Sequence, residues 1–345
     1  MLQPNLESKK SYLGGTRMES IRKSLILELE KKLDTKIIVY FTGDRPNLST
    51  RIAPDVIGPF YQHLAKIGKQ QRIDVFLYTR GGDVITPLRL NYLLREFAEQ
   101  MNIIVPFRAY SAGTLLSLGA DEILMGIMGE LGPIDPSVSN FFNPVDPNNL
   151  NARIPVSVED VFAYLSLARE RGKQIGEHEM SSVFNSLTEK IHPLALGNIH
   201  RHHILIRNLA EKILNLRKLK PMSKAEIKEI IDLLTEKLYT HSYIISRKEA
   251  KEIGLPVIEP SEEVEKNIWQ LYKEYESELK LNEPFSPDEI LLPGEKEIEF
   301  EAVSGILESA ELTDIFKFHG SLQLSTSNNQ EVINVNIKKQ HWEQS

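Results

Sequence analysis

Two short polar segments, each set at the end of an apolar run, constrain this 345-residue chain more than any other feature. The run Ile73 to Leu77 leads into Tyr78-Thr79-Arg80-Gly81-Gly82-Asp83-Val84. The run Ile103 to Phe107 leads into Arg108-Ala109-Tyr110-Ser111-Ala112-Gly113-Thr114. Short apolar runs bounded by turn residues read as buried strands. Between them, Thr86 to Gln100 has helical spacing, and Ala112 to Ala120 predicts a second helix built of small residues. Strand, helix, strand, helix in that order argues for βαβ units and a largely parallel sheet.

The same alternation extends on both sides. Ile21, Leu25, Ile26, Leu29 and Leu33 fall on one helical stripe within 17–33, and Lys36 to Phe41 is a β-branched strand closed by Gly43-Asp44-Arg45-Pro46-Asn47. Ile52 to Ile67 predicts a helix, and Ile123 to Met125 a further short strand. Gly126 to Asn151, rich in Gly, Pro, Asn and Asp, reads as a long loop. From Val158 the chain turns helical, over about 158–171, 191–217 and 223–238. Ser246 to Ile253 predicts a short helix, Leu255 to Ile258 a strand, and Glu262 to Leu281 an amphipathic helix capped by Ser261. Beyond the Pro-rich stretch 284–293, alternation over 297–304 and 320–337 predicts strands. The expected organisation is an N-terminal helical segment over 1–34, an α/β domain over 35–260, and an amphipathic helix with a small β appendage over 261–345.

The chemistry lies in the two polar segments. A glycine pair after a strand is ordinary turn chemistry, but it also lets backbone N–H groups approach a carbonyl closely. Ser111 at the opening of a helix is by default an N-cap. A capping position also sets a hydroxyl beside free N–H donors, and Ala112 and Gly113 leave room for an acyl group. A nucleophile with backbone donors from the glycine pair and from Ala112 is the minimal equipment for acyl transfer. Thr114 and Ser117 fall inside the helix, where backbone and packing needs claim them. A serine needs a base. None of the nine histidines lies within the fifty residues after Ser111. The alternative is a lysine made neutral by apolar surroundings. Lys190, before Ile191-His192-Pro193-Leu194-Ala195-Leu196-Gly197, has the most apolar setting; Lys173, among Arg169, Glu170 and Arg171, reads as solvated.

Composition excludes several classes. With no cysteine there is no disulfide framework, thiolate zinc site or cysteine nucleophile. The net charge of −7 gives no global attraction to nucleic acid. His200, His202 and His203 lack the i, i+4 spacing of ligands sharing a helix face, so no metal is expected. The N-terminus lacks a secretory apolar core, and no window approaches the roughly 18–20 apolar residues of a membrane span. A cytoplasmic protein is expected, with peripheral membrane association left open.

Five motifs carry a family resemblance: Thr79-Arg80-Gly81-Gly82-Asp83-Val84, Ala109 to Thr114, Gly129-Glu130-Leu131-Gly132-Pro133-Ile134-Asp135-Pro136, Lys190 to Gly197, and Ser246 to Leu255. Together they resemble the Clp-peptidase/crotonase superfamily, and within it the serine dehydrogenase proteinase family related to signal peptide peptidase A. The resemblance implies a Clp/crotonase-like ββα superhelix. It implies Ser111 as nucleophile, Gly82 and Ala112 as oxyanion hole, and Lys190 as base, with His192 as the fallback. Gly81, Asp83 and Gly113 would line the substrate cleft. The chain departs from the Ser-His-Asp pattern, since Gly132 to Pro136 stands where Clp peptidases carry a histidine. The implied activity is that of a serine endopeptidase acting through an acyl-enzyme, without cofactor or ATP, on a peptide or protein substrate and as a homo-oligomer. Membrane-protein substrates stay open. A crotonase-like acyl-CoA enzyme and a non-catalytic Clp-fold interaction protein are the alternatives.

Overall fold

The β-branched run Lys36–Thr42 forms strand β1 and lies inside an eight-stranded sheet. The computed structural model describes residues 12–345 except 135–136, 139, 148, 172–176, 220, 239, 241, 292 and 328–329. Strand β1 pairs in parallel with β2 (Gln70–Tyr78), which pairs with β3 (Ala98–Val105), then β4 (Glu122–Met125) and β5 (Val257–Ile258), all parallel. On its other side β1 pairs antiparallel with β6 (Glu297–Glu308), followed by β7 (Thr313–Ser327) and β8 (Gln330–Gln344). The order is thus β5-β4-β3-β2-β1-β6-β7-β8. The expected mixed α/β class with a largely parallel sheet is the one observed.

The C-terminal halves of the parallel strands, such as Val75 to Leu77 and Ile103 to Val105, are apolar because helices cover both faces. Successive side chains of β1 alternate between the layers: Ile38 and Tyr40 join one core cluster, and Ile37, Val39 and Phe41 the other. The first cluster packs against α2 (Ile57–Ile67), α3 (Thr86–Phe97), α4 (Ala112–Leu118), α7 (Pro193–Leu214), α8 (Lys224–Asp232) and α9 (Arg247–Glu252), while α5 (Val158–Arg171) adds to a smaller cluster with α7. The second packs against α1 (Tyr12–Leu33) and α10 (Glu262–Glu278). Val264, Ile268, Leu271, Tyr272 and Tyr275 supply the buried stripe of α10, and Ser261 caps it by accepting from the Val264 N–H. Each such side chain contributes about 1.5–3 kcal/mol on full burial, against about 0–1 kcal/mol for an exposed ion pair. The two clusters therefore hold the layers together.

Three expectations need correction. The C-terminal strands do not stand apart: β6 joins β1, so they extend the main sheet. Nor is the Pro-rich stretch a free connector, since Phe285 and Leu291 are buried with Phe300, Phe316 and Leu322. The third concerns the segment before Lys190, which forms α6 (Glu177–Lys190), a helix its weak apolar periodicity did not predict. Lys190 therefore ends a helix instead of opening one, and α7 begins at Pro193.

Candidate active site

The ends of β2 and β3 are stitched together just beyond the sheet. The Thr79 N–H donates to the Arg108 carbonyl at 2.9 Å, and the Tyr110 N–H donates to the Thr79 carbonyl at 3.1 Å. Thr79 Oγ1 accepts from the Gly81 N–H at 3.0 Å and from the Thr42 hydroxyl at 2.7 Å. A third segment closes on the glycine pair: the Ile52 N–H donates to the Gly81 carbonyl at 2.9 Å, and the Asp83 N–H to the Ile52 carbonyl at 2.8 Å. The two glycines are needed for different reasons. A Cβ on Gly82 would lie 2.1 Å from the Ile52 carbonyl oxygen, and one on Gly81 would lie 2.9 Å from the Ser111 Cβ and 3.2 Å from the Ala112 nitrogen. Both also have positive φ, +102° and +149°. Gly81 is the residue on which Ser111 rests.

Ser111 has φ 51° and ψ −109°, a region that costs a non-glycine residue about 1–3 kcal/mol. It stands at the N-cap of α4, yet its side chain makes no capping hydrogen bond. The default role of a serine at this position is therefore unfilled, and the hydroxyl stays half-buried and uncommitted. Among the described residues the N–H groups of Gly82 and Ala112 also make no hydrogen bond. At the first helical position Ala112 has no intrahelical acceptor. Gly113 lets α4 approach β2, since a Cβ there would lie 2.4 Å from Thr79 Cγ2. Thr114 and Ser117 serve the backbone, as expected. Thr114 Oγ1 lies 2.8 Å from the Ala109 carbonyl and 2.9 Å from that of Gly132, and Ser117 donates to the Gly113 carbonyl.

Ser111 opens into a cleft of about 450 Å³ whose wall includes Arg51, Arg80, Arg108, Tyr110 and Tyr243. Asp44 organises one side. Its carboxylate accepts from Tyr78 at 2.8 Å, Arg80 at 2.6 Å and Arg108 at 3.1 Å. The Arg108 guanidinium also lies 4.2 Å from the Phe107 ring centroid. Tyr110 donates to Glu130, and burial together with that carboxylate pushes its phenol up to about 12, leaving it a neutral donor. The sequence reading did not single out Arg51, Arg80, Arg108 or Asp44. Arg80 and Arg108 were visible inside the two motifs; Arg51 reaches the cleft only through the Ile52–Gly82 bridge, a tertiary contact without local signal.

The remaining candidates lie elsewhere or do other work. Asp83 Oδ1 accepts from the N–H groups of Ile85 and Thr86 and from the Thr86 hydroxyl, capping α3. Lys190 is exposed at the end of α6 and does not line the cleft. The apolar enclosure expected around its amine is absent because Leu187, Ile191 and Leu196 turn into a cluster with Val158, Val161 and Ile199, while Lys190 stays exposed. His192 is exposed too: its Nδ1 accepts from the Leu194 N–H at 3.1 Å, and its ring stacks on Phe142. Asp135 and Pro136 lie outside the described residues. Among the described residues one group has metal-ligand spacing, His319, His341 and Glu343, whose ligand atoms fall within 4.8 Å on β7 and β8. There Lys317 already pairs with Glu343. Among the described residues no helix is long and apolar enough to cross a membrane.

Parallel strands of a mixed α/β fold thus deliver a strained serine beside a glycine-lined bend. Residues 62–192, a segment that holds Gly82 and Ser111, match the family model of the ClpP-like SDH-type serine proteinases. Two uncharacterized proteins of Methanocaldococcus jannaschii are similar to it. One is 27% identical over 60% of this chain and the other 24% identical over 59%. The chain spans only 60% and 56% of the lengths of these two relatives. A probable enoyl-CoA hydratase/isomerase from Mycobacterium abscessus aligns over 70% of this chain and 90% of its own, at 12% identity and a TM-score of 0.22.

Proposed function

We propose that this protein is a serine peptidase that cleaves peptide bonds through an acyl-enzyme on Ser111. The observation that carries this reading is the uncommitted Ser111 hydroxyl, held at positive φ against Gly81, with unbonded N–H groups on Gly82 and Ala112. In the proposed reaction Ser111 Oγ attacks the peptide carbonyl and the two N–H groups receive the developing oxyanion. The amine leaves with the proton taken from Ser111, and water then hydrolyses the ester. The substrate would lie extended against the sheet edge near Gly81 and Gly82.

The base is proposed to be Lys190, in a Ser-Lys dyad. Since Lys190 is exposed and outside the cleft, the proposal requires another arrangement of the α6–α7 region, or a second copy of the chain whose Lys190 enters the cleft. The second route agrees with the expected homo-oligomer. No cofactor or ATP takes part in this scheme, and a cytoplasmic setting suits it.

The test is labelling with a fluorophosphonate probe followed by peptide mapping. The expected adduct is on Ser111, and Ser111→Ala is expected to lower peptide cleavage by at least about 10³-fold, the scale of losing a nucleophile, with an unchanged melting temperature. Cleavage that persists in Ser111→Ala would remove the proposal. Lys190→Ala should match that loss, and mixing Ser111→Ala with Lys190→Ala protein should restore activity if copies share a dyad.

A further inference from the structure

Among the described residues, the lining of the cleft beside Ser111 holds arginines and no carboxylate, in a chain whose net charge is −7. Its wall holds three guanidinium groups, those of Arg51, Arg80 and Arg108. The carboxylates bonded to this wall are Asp44, which accepts from Arg80 and Arg108, and Glu130 and Glu249, which accept from Tyr110 and Tyr243. None of the three bonds Arg51, which is exposed and has no side-chain partner among the described residues. Arg80 uses only Nε on Asp44, which leaves its terminal N–H groups free among the described residues. Arginine is suited to such a place because its planar fork binds a carboxylate through two parallel bonds. Guanidinium donors without a partner among the described residues therefore lie in the same cleft as Ser111.

We propose that Arg51, Arg80 and Arg108 form a carboxylate-recognition subsite beside Ser111, so that the preferred substrate is a peptide carrying an acidic group next to the bond that is cut. The acidic group is an Asp or Glu side chain or the C-terminal carboxylate, and one chemistry serves both. Arg51 makes the new contact, while Asp44 holds Arg80 and Arg108 in position to complete it. The inference rests on the peptidase reading of the cleft, but its central test does not depend on turnover.

That test is fluorescence anisotropy on the full-length Ser111→Ala protein with four labelled peptides of one sequence. They carry an internal Glu or Gln, each with a free or an amidated C-terminus. The expected result is that at least one acidic form binds about tenfold more tightly than its neutral counterpart, the scale of a charge-assisted pair. Arg51→Gln should remove most of this difference, Arg51→Lys should restore part of it, and binding should weaken as salt is raised. The Glu–Gln pair reports a side-chain source and the acid–amide pair a terminal one. Equal binding of all four peptides overturns the subsite, as does tighter competition by coenzyme A or inorganic phosphate than by the acidic peptides. Ser111-dependent cleavage without acidic preference sinks this inference and leaves the peptidase intact. Failure of fluorophosphonate to label Ser111 sinks the peptidase, and the anisotropy series still decides the subsite.

Discussion

Ser111 is unusual first in its backbone. At φ 51° it occupies a conformation that glycine tolerates best, and its side chain makes no capping bond that would compensate. The strain persists because the contacts around it are over-determined. Gly81 lies against its Cβ, and Gly113 against Thr79, whose own N–H, carbonyl and hydroxyl are all bonded. Gly113→Ala is expected to cost about 1–3 kcal/mol, because the added methyl would lie 2.4 Å from the Thr79 methyl. Thr79 cannot retreat without breaking the bonds that align Ser111. Gly58→Ala on α2, where nothing lies within 4 Å, is the matched control and should be neutral or slightly stabilising. Chemical denaturation of the two variants checks this, and the rate of fluorophosphonate labelling should fall only for Gly113→Ala. At this scale the sequence was informative about which residues meet, because each follows an apolar strand. It was silent on the sign of φ at Ser111 and on the unused cap, which depend on the loop from the neighbouring strand.

Elements were most legible where periodicity was strong. The strands of the parallel part and helix α10 follow from apolar runs and an apolar stripe, and both were placed to within a few residues. Helix α6 was not, since Glu177, Glu179, Ser181, Ser182, Asn185 and Ser186 dilute its pattern. That omission moved the reading of Lys190 from the end of one helix to the start of the next. Strands β6 to β8 were shortened because charged residues alternate with Phe316 and Phe318, and only the apolar half of that pattern packs inward. How α2 attaches to the β6–β7 turn was not legible either. His63 is fully buried on α2, with Nδ1 2.9 Å from the Ser309 hydroxyl and Nε2 3.1 Å from Asp314. Burial lowers its pKa, outweighing the nearby carboxylates of Asp314, Glu308 and Glu311. The folded state thus refuses a proton that the unfolded chain accepts below about pH 6.5. The stabilisation is complete above that value and is lost as pH falls toward the lowered folded pKa. Denaturant midpoints measured between about pH 7.5 and 5.5 should fall with pH, and His63→Gln should flatten that slope. An unchanged slope would show that His63 is not the group responsible.

Across the molecule, one buried cluster joins segments from opposite ends of the chain. Arg22 of α1 bonds Glu308 of β6 through two nitrogens, at 2.9 and 3.2 Å, and also reaches Glu278 of α10 at 3.2 Å. Tyr275 and Thr313 complete the shell around Glu308, whose side chain is fully buried. Arg22→Ala would leave that carboxylate buried without its counter-charge and is expected to cost about 3–5 kcal/mol. Adding Glu308→Gln should recover much of the loss, which equilibrium unfolding of the single and double variants would show. Glu308 lies on the strand that pairs with β1, so the same contact secures the seam between the parallel and antiparallel halves of the sheet.

That seam has a consequence for how the protein is made. Strand β1 emerges early, at residues 36–42, whereas the partner for one of its two edges is not translated until residues 297–308. Throughout elongation the nascent sheet carries an open row of amides and carbonyls on a strand destined for its interior, the arrangement most inviting to another chain's backbone. A ribosome that stalls before residue 297 would release an adhesive fragment in place of a smaller folded protein.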